Sequence, residues 1–198
     1  MIELDVVNTL LRAIGSQVVN SVNTAHPDVQ NARRLIQRLA KSTQQRGWWF
    51  NMEYNVTLYP DANREISVSQ DVHAIQPACG GDVVLRGKRV FNAVTNTYKF
   101  DAPIVCNTLI RILVWEELPE SLQTFVMYKA ATEFIREEIG DSQKAGEFEE
   151  DSKRAWVQLL NDDLESRPVN AKHSYNALKM RSGVRPYGNS VRDMFWGK

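Results

Sequence analysis

The sequence predicts an α+β fold in which a helix bundle, made of two N-terminal and two C-terminal helices, carries an inserted, largely antiparallel β domain. Apolar residues recur at helical spacing up to Gly47, alternate with polar residues in the next stretch, and return to helical spacing at Leu118. The 198 residues, 43% of them hydrophobic, can bury a sizeable core. The predicted boundaries are 1–47 and 116–167 for the bundle, 48–115 for the β domain and 168–198 for an extended C-terminal arm.

Two helices are predicted before Gly47. The first follows Asp5, a predicted N-cap, and stops at Gly15; the second follows Asp28, also a predicted N-cap, and stops at Gly47. Apolar residues lie one turn apart in both, so each helix has one side directed to a core. These predicted core residues are Val6, Val7, Leu10, Leu11 and Ile14 in the first helix, and Val29, Ala32, Ile36 and Leu39 in the second.

The stretch after Gly47 is predicted to be β structure. Residues 51–59 alternate between apolar and polar side chains, as in a half-buried strand, and Pro60 begins a turn. Glycine and asparagine turn signals then divide the chain into short segments, which favours an antiparallel meander or a small sandwich. The further predicted strands are 64–69, 72–76, 82–86, 88–94, 97–100 and 104–114.

Two more helices are predicted after the strands. Pro119 is expected at the first position of the third helix, and Gly140 closes that helix. Asp141 and Ser142 are expected to cap a long fourth helix, which Pro168 breaks. The predicted core residues are Leu122, Phe125, Val126, Ala130 and Phe134 in the third helix, and Phe148, Ala155, Trp156, Leu159, Leu160 and Leu164 in the fourth.

Charge is segregated along a chain whose formal net charge is zero. Residues 30–46 carry five bases and no acid, whereas residues 116–166 carry 14 acids and 5 bases. From residue 168 onward there are six bases and one acid. Segregated sign in a neutral chain favours pairing between segments, or between neighbouring copies, over binding of bulk nucleic acid.

Several classes of function lack their sequence signals. The longest apolar run, 109–115, is too short for a membrane helix and contains Arg111, so we expect no membrane span or anchor. The acidic N-terminus does not resemble a secretory signal. Cys79 and Cys106 have no metal-site spacing and are interpreted as small buried hydrophobes.

Cofactor and catalytic motifs are also incomplete. Gly87 and Lys88 lack the preceding glycine and following hydroxyl of a phosphate-binding loop, and Ser190 lacks the second glycine of a nucleophile elbow. The three histidines are scattered, with no partner one helical turn away. We therefore predict no cofactor, no metal and no catalytic residue.

Two functional alternatives remain open at this stage. The basic residues Arg34, Arg38 and Lys41 lie on one side of the second helix and precede Trp48 and Trp49, as in a nucleic-acid-binding module with stacking rings. The favoured interpretation is that the basic side pairs with the acidic helices while the aromatic rings anchor the junction between helix and sheet. Scattered carboxylates, such as those at 116–117, 137–138 and 149–151, are the weaker basis for a polysaccharide hydrolase.

An ordered set of segments resembles the tail tubular protein A family of short-tailed bacteriophages. The resemblance covers about residues 5 to 165. The segments that carry it are Asn31–Leu35, Gln45–Asn51 and Val56–Asp61, together with Val7–Gly15, Leu118–Glu120 and Lys129–Ala130.

The resemblance implies a structural virion protein of the tail, made in the host cytoplasm, and no enzyme. Proteins of this family form a twelve-subunit ring, the head-to-tail adaptor, between the portal and the tubular nozzle, with tail fibres attached near the joint. Double-stranded DNA passes through such a ring without sequence-specific binding. The family fold, a helix bundle with a β domain between two pairs of helices, agrees with the element order predicted above.

The candidate contact residues combine the basic second helix with the arm. The arm contains glycines and prolines, five net positive charges and aromatic side chains that it cannot bury alone, so we expect assembly to order it against a neighbouring copy or the portal. The candidates are Arg33, Arg34, Arg38, Lys41, Lys172, Lys179, Arg181, Arg185, Tyr187, Arg192, Phe195 and Trp196.

Overall fold

A computed structural model of the chain describes residues 1–78 and 82–166. Met1–Leu164 form one compact unit of four helices and five strands, so the predicted α+β class is confirmed. The predicted arm, residues 168–198, and Cys79 lie outside the described residues. The helices are α1 (Glu3–Ala13), α2 (Pro27–Gln44), α3 (Glu120–Glu138) and α4 (Ser142–Ser166); the strands are β1 (Met52–Leu58), β2 (Val72–Pro77), β3 (Val83–Arg86), β4 (Arg89–Asn92) and β5 (Ile104–Arg111).

Both predicted N-caps of the first helix pair are wrong. α1 starts two residues before Asp5, and α2 starts at Pro27, whose fixed φ suits a first helical position. Asp5 and Asp28 therefore lie in first turns, where a carboxylate complements the helix dipole. Asp28 has a second role, because its Oδ2 accepts a hydrogen bond from the Ser16 hydroxyl at 2.9 Å.

The second helix pair follows the prediction more closely. Pro119 is the N-cap of α3 and not its first residue, because its backbone is extended, with a ψ of 149°. A turn of 3₁₀ helix, Trp115–Glu117, precedes it. Gly140 has a φ of +69° and lies directly after the C-cap of α3, as expected. The Asp141 cap is confirmed by its Oδ1, which accepts from the Lys144 amide at 2.9 Å. Leu164 was predicted in the core but is 66% exposed.

The β domain contains a three-stranded and a two-stranded antiparallel sheet. The first has the order β1-β5-β2, and the second is the β3-β4 hairpin. The long strand β5 lies between the two earlier strands, so the meander, one of the two predicted arrangements, is wrong, whereas the antiparallel pairing is confirmed. The predicted strands 64–69 and 97–100 are also wrong, because each makes only isolated bridges, such as Glu65 with Lys99. Arg64 has a φ of +64°, which interrupts extended backbone.

Each region has its own buried apolar cluster. The bundle cluster joins α1, α2, α3 and Leu159 of α4 with Trp48 and Trp115. The β cluster packs Val83 and Val90 of the hairpin against Ile104 and Cys106 of β5. Cys106 is fully buried, as expected for a small hydrophobe. Among the described residues, no helix combines the length and the hydropathy needed to cross a bilayer.

Gly47 lies where the bundle meets the β domain. Its φ is +79°, and a Cβ at this position would approach Ile110 Cδ1 and Met52 Sδ to 3.0 Å. The left-handed conformation favours glycine here, and a Cβ would in addition displace the ends of the Ile110 and Met52 side chains. This geometry explains why the helical spacing ends at Gly47 in the sequence.

Buried amides fix this junction. The Gln44 side chain donates to the Leu113 carbonyl at 3.2 Å and accepts from the Leu113 amide at 2.8 Å. The Asn51 side chain donates to the carbonyls of Gln44 and Arg111, at 3.0 and 2.7 Å, and accepts from the Trp48 amide. Gln44 and Asn51 are 1% and 3% exposed, so these hydrogen bonds replace water completely.

Candidate assembly surfaces

The basic residues of α2 divide into two groups. Arg33 Nε contacts Glu3 Oε1 of α1 at 3.3 Å, and Arg38 contacts Glu133 Oε2 of α3 at 3.0 Å. The side chains of Arg34 and Lys41 are exposed and make no hydrogen bond or ion pair with any described residue. Part of the basic charge is therefore matched inside the subunit, and two side chains are left for an outside contact.

The tryptophans after α2 anchor the junction. Trp48 is fully buried, its indole N–H donates to the Thr43 carbonyl at 2.7 Å, and its ring meets Trp156 of α4 edge to face at 5.5 Å. The Arg46 guanidinium lies 5.1 Å from the Trp48 ring centroid. The Trp49 backbone amide donates to Asp163 Oδ1. Because Trp48 is inaccessible, it cannot stack on a nucleic-acid base, and the proposed basic binding module loses one of its rings.

The acidic triplet of α4 is occupied by ion pairs. Glu149 contacts Arg136 of α3 at 2.5 Å, Glu150 contacts Lys153 at 2.7 Å, and Asp151 contacts Arg154. The hydrogen bond from Arg136 lowers the pKa of Glu149. A glycosidase needs a carboxylic acid with a raised pKa, so this triplet gives the hydrolase alternative no support.

A second carboxylate with a shifted pKa lies in the β domain. Hydrogen bonds from Ser69 and then Arg111 lower the pKa of Asp71 to about 2. Arg111 also contacts Glu53 of β1, so one guanidinium joins β1, β5 and the segment before β2. The arrangement is that of a structural ion-pair network. Within residues 1–78 and 82–166, no group of three His, Cys, Asp or Glu side chains could hold a metal ion.

The outer side of α4 presents an exposed stripe with two large aliphatic residues. Val157 is 55% and Leu164 is 66% exposed, and they lie seven residues apart, hence on the same side of the helix. Ala155 and Leu159 occupy the opposite, buried side. We call the exposed surface the α4 stripe; its members are Glu147, Glu150, Arg154, Val157, Asn161, Leu164 and Glu165.

A groove of about 390 Å³ lies on another part of the bundle, beside α2. We call it the bundle groove. Its walls come from α1, α2 and the connection between β5 and α3. Apolar members include Ala40, Ile112, Leu113 and Val114, of which Val114 is 61% exposed, and Lys41 stands among the polar ones. The groove thus combines an apolar wall with an available base.

Sequence reasoning missed both of these surfaces. The sequence analysis places Leu164 in the core together with Leu159 and Leu160. A helical projection separates it, since Leu164 lies five residues after Leu159, about 140° around the helix. The groove has no comparable signal, because its walls combine three segments that are distant in sequence. The predicted contacts Lys172, Lys179, Arg181, Arg185, Tyr187, Arg192, Phe195 and Trp196 lie outside the described residues.

Comparison with known proteins gives two matches. The model of a family described as "Tail tubular protein" matches residues 4–169. A curated relative, "Tail tubular protein A" of Klebsiella phage KP34, is 28% identical over 185 residues, which cover 91% of this chain and 97% of the relative. The similarity therefore extends over the bundle and the β domain alike.

Proposed function

Since the chain belongs to the tail tubular protein family, and is thus a structural protein of the phage virion tail, we propose that it is the head-to-tail adaptor. In this role twelve copies form a ring that joins the portal to the tubular nozzle. Tail fibres attach near this joint. Double-stranded DNA passes through the ring, and the chain makes no sequence-specific contact with it.

The observation that carries this proposal is the match to a tail tubular protein A over 91% of this chain, together with the family match over residues 4–169. The surface chemistry supports it. A ring made by head-to-tail contacts needs two different, complementary surfaces on each subunit, because a single self-complementary surface gives only a dimer. The α4 stripe and the bundle groove are two such different surfaces.

The arm belongs to the same proposal. Residues 168–198 carry six bases and the aromatic side chains Tyr175, Tyr187, Phe195 and Trp196. We propose that the arm contacts a neighbouring copy or the portal and is ordered by that contact, so that the ring closes only on a completed portal. Deletion of residues 168–198 is then expected to leave a folded chain that joins portal rings poorly, whereas unimpaired joining would contradict this role.

Electron microscopy of the purified chain, alone and with portal rings at moderate salt, tests the adaptor role. We expect twelve-fold rings stacked on the portal. A chain that stays monomeric and indifferent to portal rings would contradict the role. If that monomer bound DNA with a steep dependence on salt, the nucleic-acid alternative, with Arg34, Arg38 and Lys41, would replace it.

A further inference from the structure

We propose that neighbouring copies are joined by the α4 stripe of one subunit packing along the bundle groove of the next. This contact rests on the proposed function, because it is the lateral contact of the ring. In this contact Val157 and Leu164 of the α4 stripe meet Val114 and Lys41 of the bundle groove.

The two surfaces lie on different sides of α3. The Gln123 side chain of α3 accepts from the N-terminal ammonium of Met1 at 2.9 Å and donates to the Trp115 carbonyl at 2.8 Å, so this side of α3 faces the segments that form the groove. Tyr128 of α3 stacks obliquely on Phe148 of α4, with ring centroids 6.4 Å apart. Gln123 and Tyr128 are five residues apart, about 140° around the helix.

No residue of α4 lines the groove. Together with the position of α3, this means that one subunit can present its stripe to one neighbour and its groove to another. That is the requirement for a heterologous contact. Such a contact closes into a ring when a whole number of the rotations that relate neighbouring copies makes one full turn. A contact between two identical surfaces would use either the α4 stripe or the bundle groove, but not both.

The apolar side chains give the contact its centre. Val157 and Leu164 are spaced by seven residues, about 10 Å along the helix axis. In a subunit alone both leave most of their surface in water, and so does Val114 at the edge of the groove. Burying such side chains contributes about 25 cal/mol for each Å² of apolar surface removed from water. An apolar centre with a polar edge is the usual composition of a specific interface.

Charge fixes the direction of the contact. Lys41 lines the groove, and Arg34 lies two turns earlier on the same side of α2; neither has a side-chain partner among the described residues. On α4, Glu165 is exposed beside Leu164 and likewise makes no ion pair that the described residues show. Opposite charges at the edge of an interface steer the approach and exclude wrong pairings. We therefore place the C-terminal half of the stripe against α2.

The first test introduces a charge into each surface separately. We expect Val157→Lys and Val114→Lys each to abolish ring formation on portal rings while leaving the helical circular dichroism unchanged, because both side chains are exposed in the subunit. Val94→Lys is the matched control: Val94 is 65% exposed in the β domain, outside both surfaces, and this variant should assemble as the wild type does.

The second test mixes the two defective variants. The Val157→Lys chain keeps an intact groove and the Val114→Lys chain keeps an intact stripe, so the mixture can make one good contact but cannot propagate it. We expect crosslinking of the mixture on portal rings to give heterodimers and no larger species. Lys41→Glu should raise the protein concentration required for assembly at least tenfold. Adding Glu165→Lys to the same chain should reverse part of that increase.

The outcomes separate this contact from the adaptor role. If the wild type makes no ring on portal rings, the adaptor role fails and the contact fails with it. If the wild type, Val157→Lys and Val114→Lys all make rings, the adaptor role stands and the contact is wrong. Closed rings from the mixture of Val157→Lys and Val114→Lys would also overturn it, because a heterologous contact between these surfaces cannot give them.

Discussion

In the helix bundle, eighteen of the described side chains form one buried apolar cluster, whereas the buried cluster of the β domain contains six. The β domain compensates with polar contacts between segments. Arg111 joins Glu53 and Asp71, and Lys88 Nζ donates to the carbonyls of Gln70 and Val72. The bundle is thus held chiefly by apolar burial, and the β domain depends more on ion pairs and side-chain hydrogen bonds.

This difference suits an assembly protein. Exposed ion pairs contribute little to stability and can be rearranged at low cost, whereas close-packed apolar clusters cannot. A bundle with a large core can therefore carry the exposed stripe and groove without losing its shape. The following changes test how far the two regions differ, beginning with the largest expected effect.

Phe134→Ala removes a ring from the bundle cluster. Phe134 is 1% exposed, and the cavity left behind should lower the free energy of unfolding by about 3–5 kcal/mol. Helical circular dichroism during urea unfolding measures the change. Phe100→Ala, in the β domain at 8% exposure, is the matched variant, and we expect its hydrogen exchange to rise within the β domain while α1 to α4 stay protected. Equal loss of protection in both regions would show that they unfold as one unit.

Asn51→Leu tests the junction between the regions. The leucine would leave the Trp48 amide and the Gln44 carbonyl without the partner that Asn51 supplies, in a site that water does not reach. Each unsatisfied buried group costs about 1–3 kcal/mol, so we expect a loss of about 3 kcal/mol in unfolding free energy. Asn51→Asp keeps the acceptor for the Trp48 amide but places a carboxylate oxygen against the carbonyls of Gln44 and Arg111, so we expect it to cost at least as much as Asn51→Leu. A loss below about 1 kcal/mol would mean that the backbone holds the junction without this side chain.

The sequence predicts this junction only in outline. The change of hydrophobic period at Gly47 locates the end of α2 to within three residues, because α2 ends at Gln44 and the left-handed backbone at Gly47 favours glycine. The roles of Gln44 and Asn51 are not predictable in the same way. Their partners, Leu113 and Arg111, are about 60 to 70 residues away, and local spacing carries no information about such pairs.

The same limit applies to the order of the strands in the sheet and to the assembly surfaces. The local sequence of β5, Ile104–Arg111, predicts a strand, but nothing in that spacing specifies which strands pair with it, so its central position is not predicted. Segment 64–69 alternates like a strand, but it pairs only at isolated bridges, one of them between Ser67 and Arg89. For the basic α2 face, the sequence predicts internal pairing correctly at Arg38, and only the structure distinguishes Arg38 from Arg34 and Lys41.

The dependence of stability on acidic pH tests the polar network of the β domain. The pKa of Asp71 is lowered to about 2 by hydrogen bonds from Ser69 and Arg111, so these contacts stabilise the fold above the unfolded pKa of about 3.9. This contribution is lost as the pH falls from about 4 through 2. Because the side chain is 41% exposed, we expect an effect below about 1 kcal/mol. Urea unfolding of the wild type and Asp71→Asn should differ at pH 6 and converge near pH 2. A difference independent of pH would contradict this account.

The smallest expected effects come from neutralising one carboxylate in each region, and the two carboxylates have similar exposure. Glu65 of the β domain lies 3.2 Å from Arg89 and 3.3 Å from Lys99, and Glu133 of α3 lies 3.0 Å from Arg38 and 3.9 Å from Lys129.

Glu65 joins chain segments that otherwise meet at isolated bridges, whereas the helices on either side of Glu133 are already held by the bundle cluster. We therefore expect Glu65→Gln to cost about 0.5–1 kcal/mol and Glu133→Gln about 0.2–0.5 kcal/mol. Urea unfolding at low and high salt measures both losses, and each should shrink at high salt because exposed ion pairs are screened. A greater loss for Glu133→Gln would mean that the bundle, too, depends on its ion pairs, and the contrast between the two regions would then rest on core size alone.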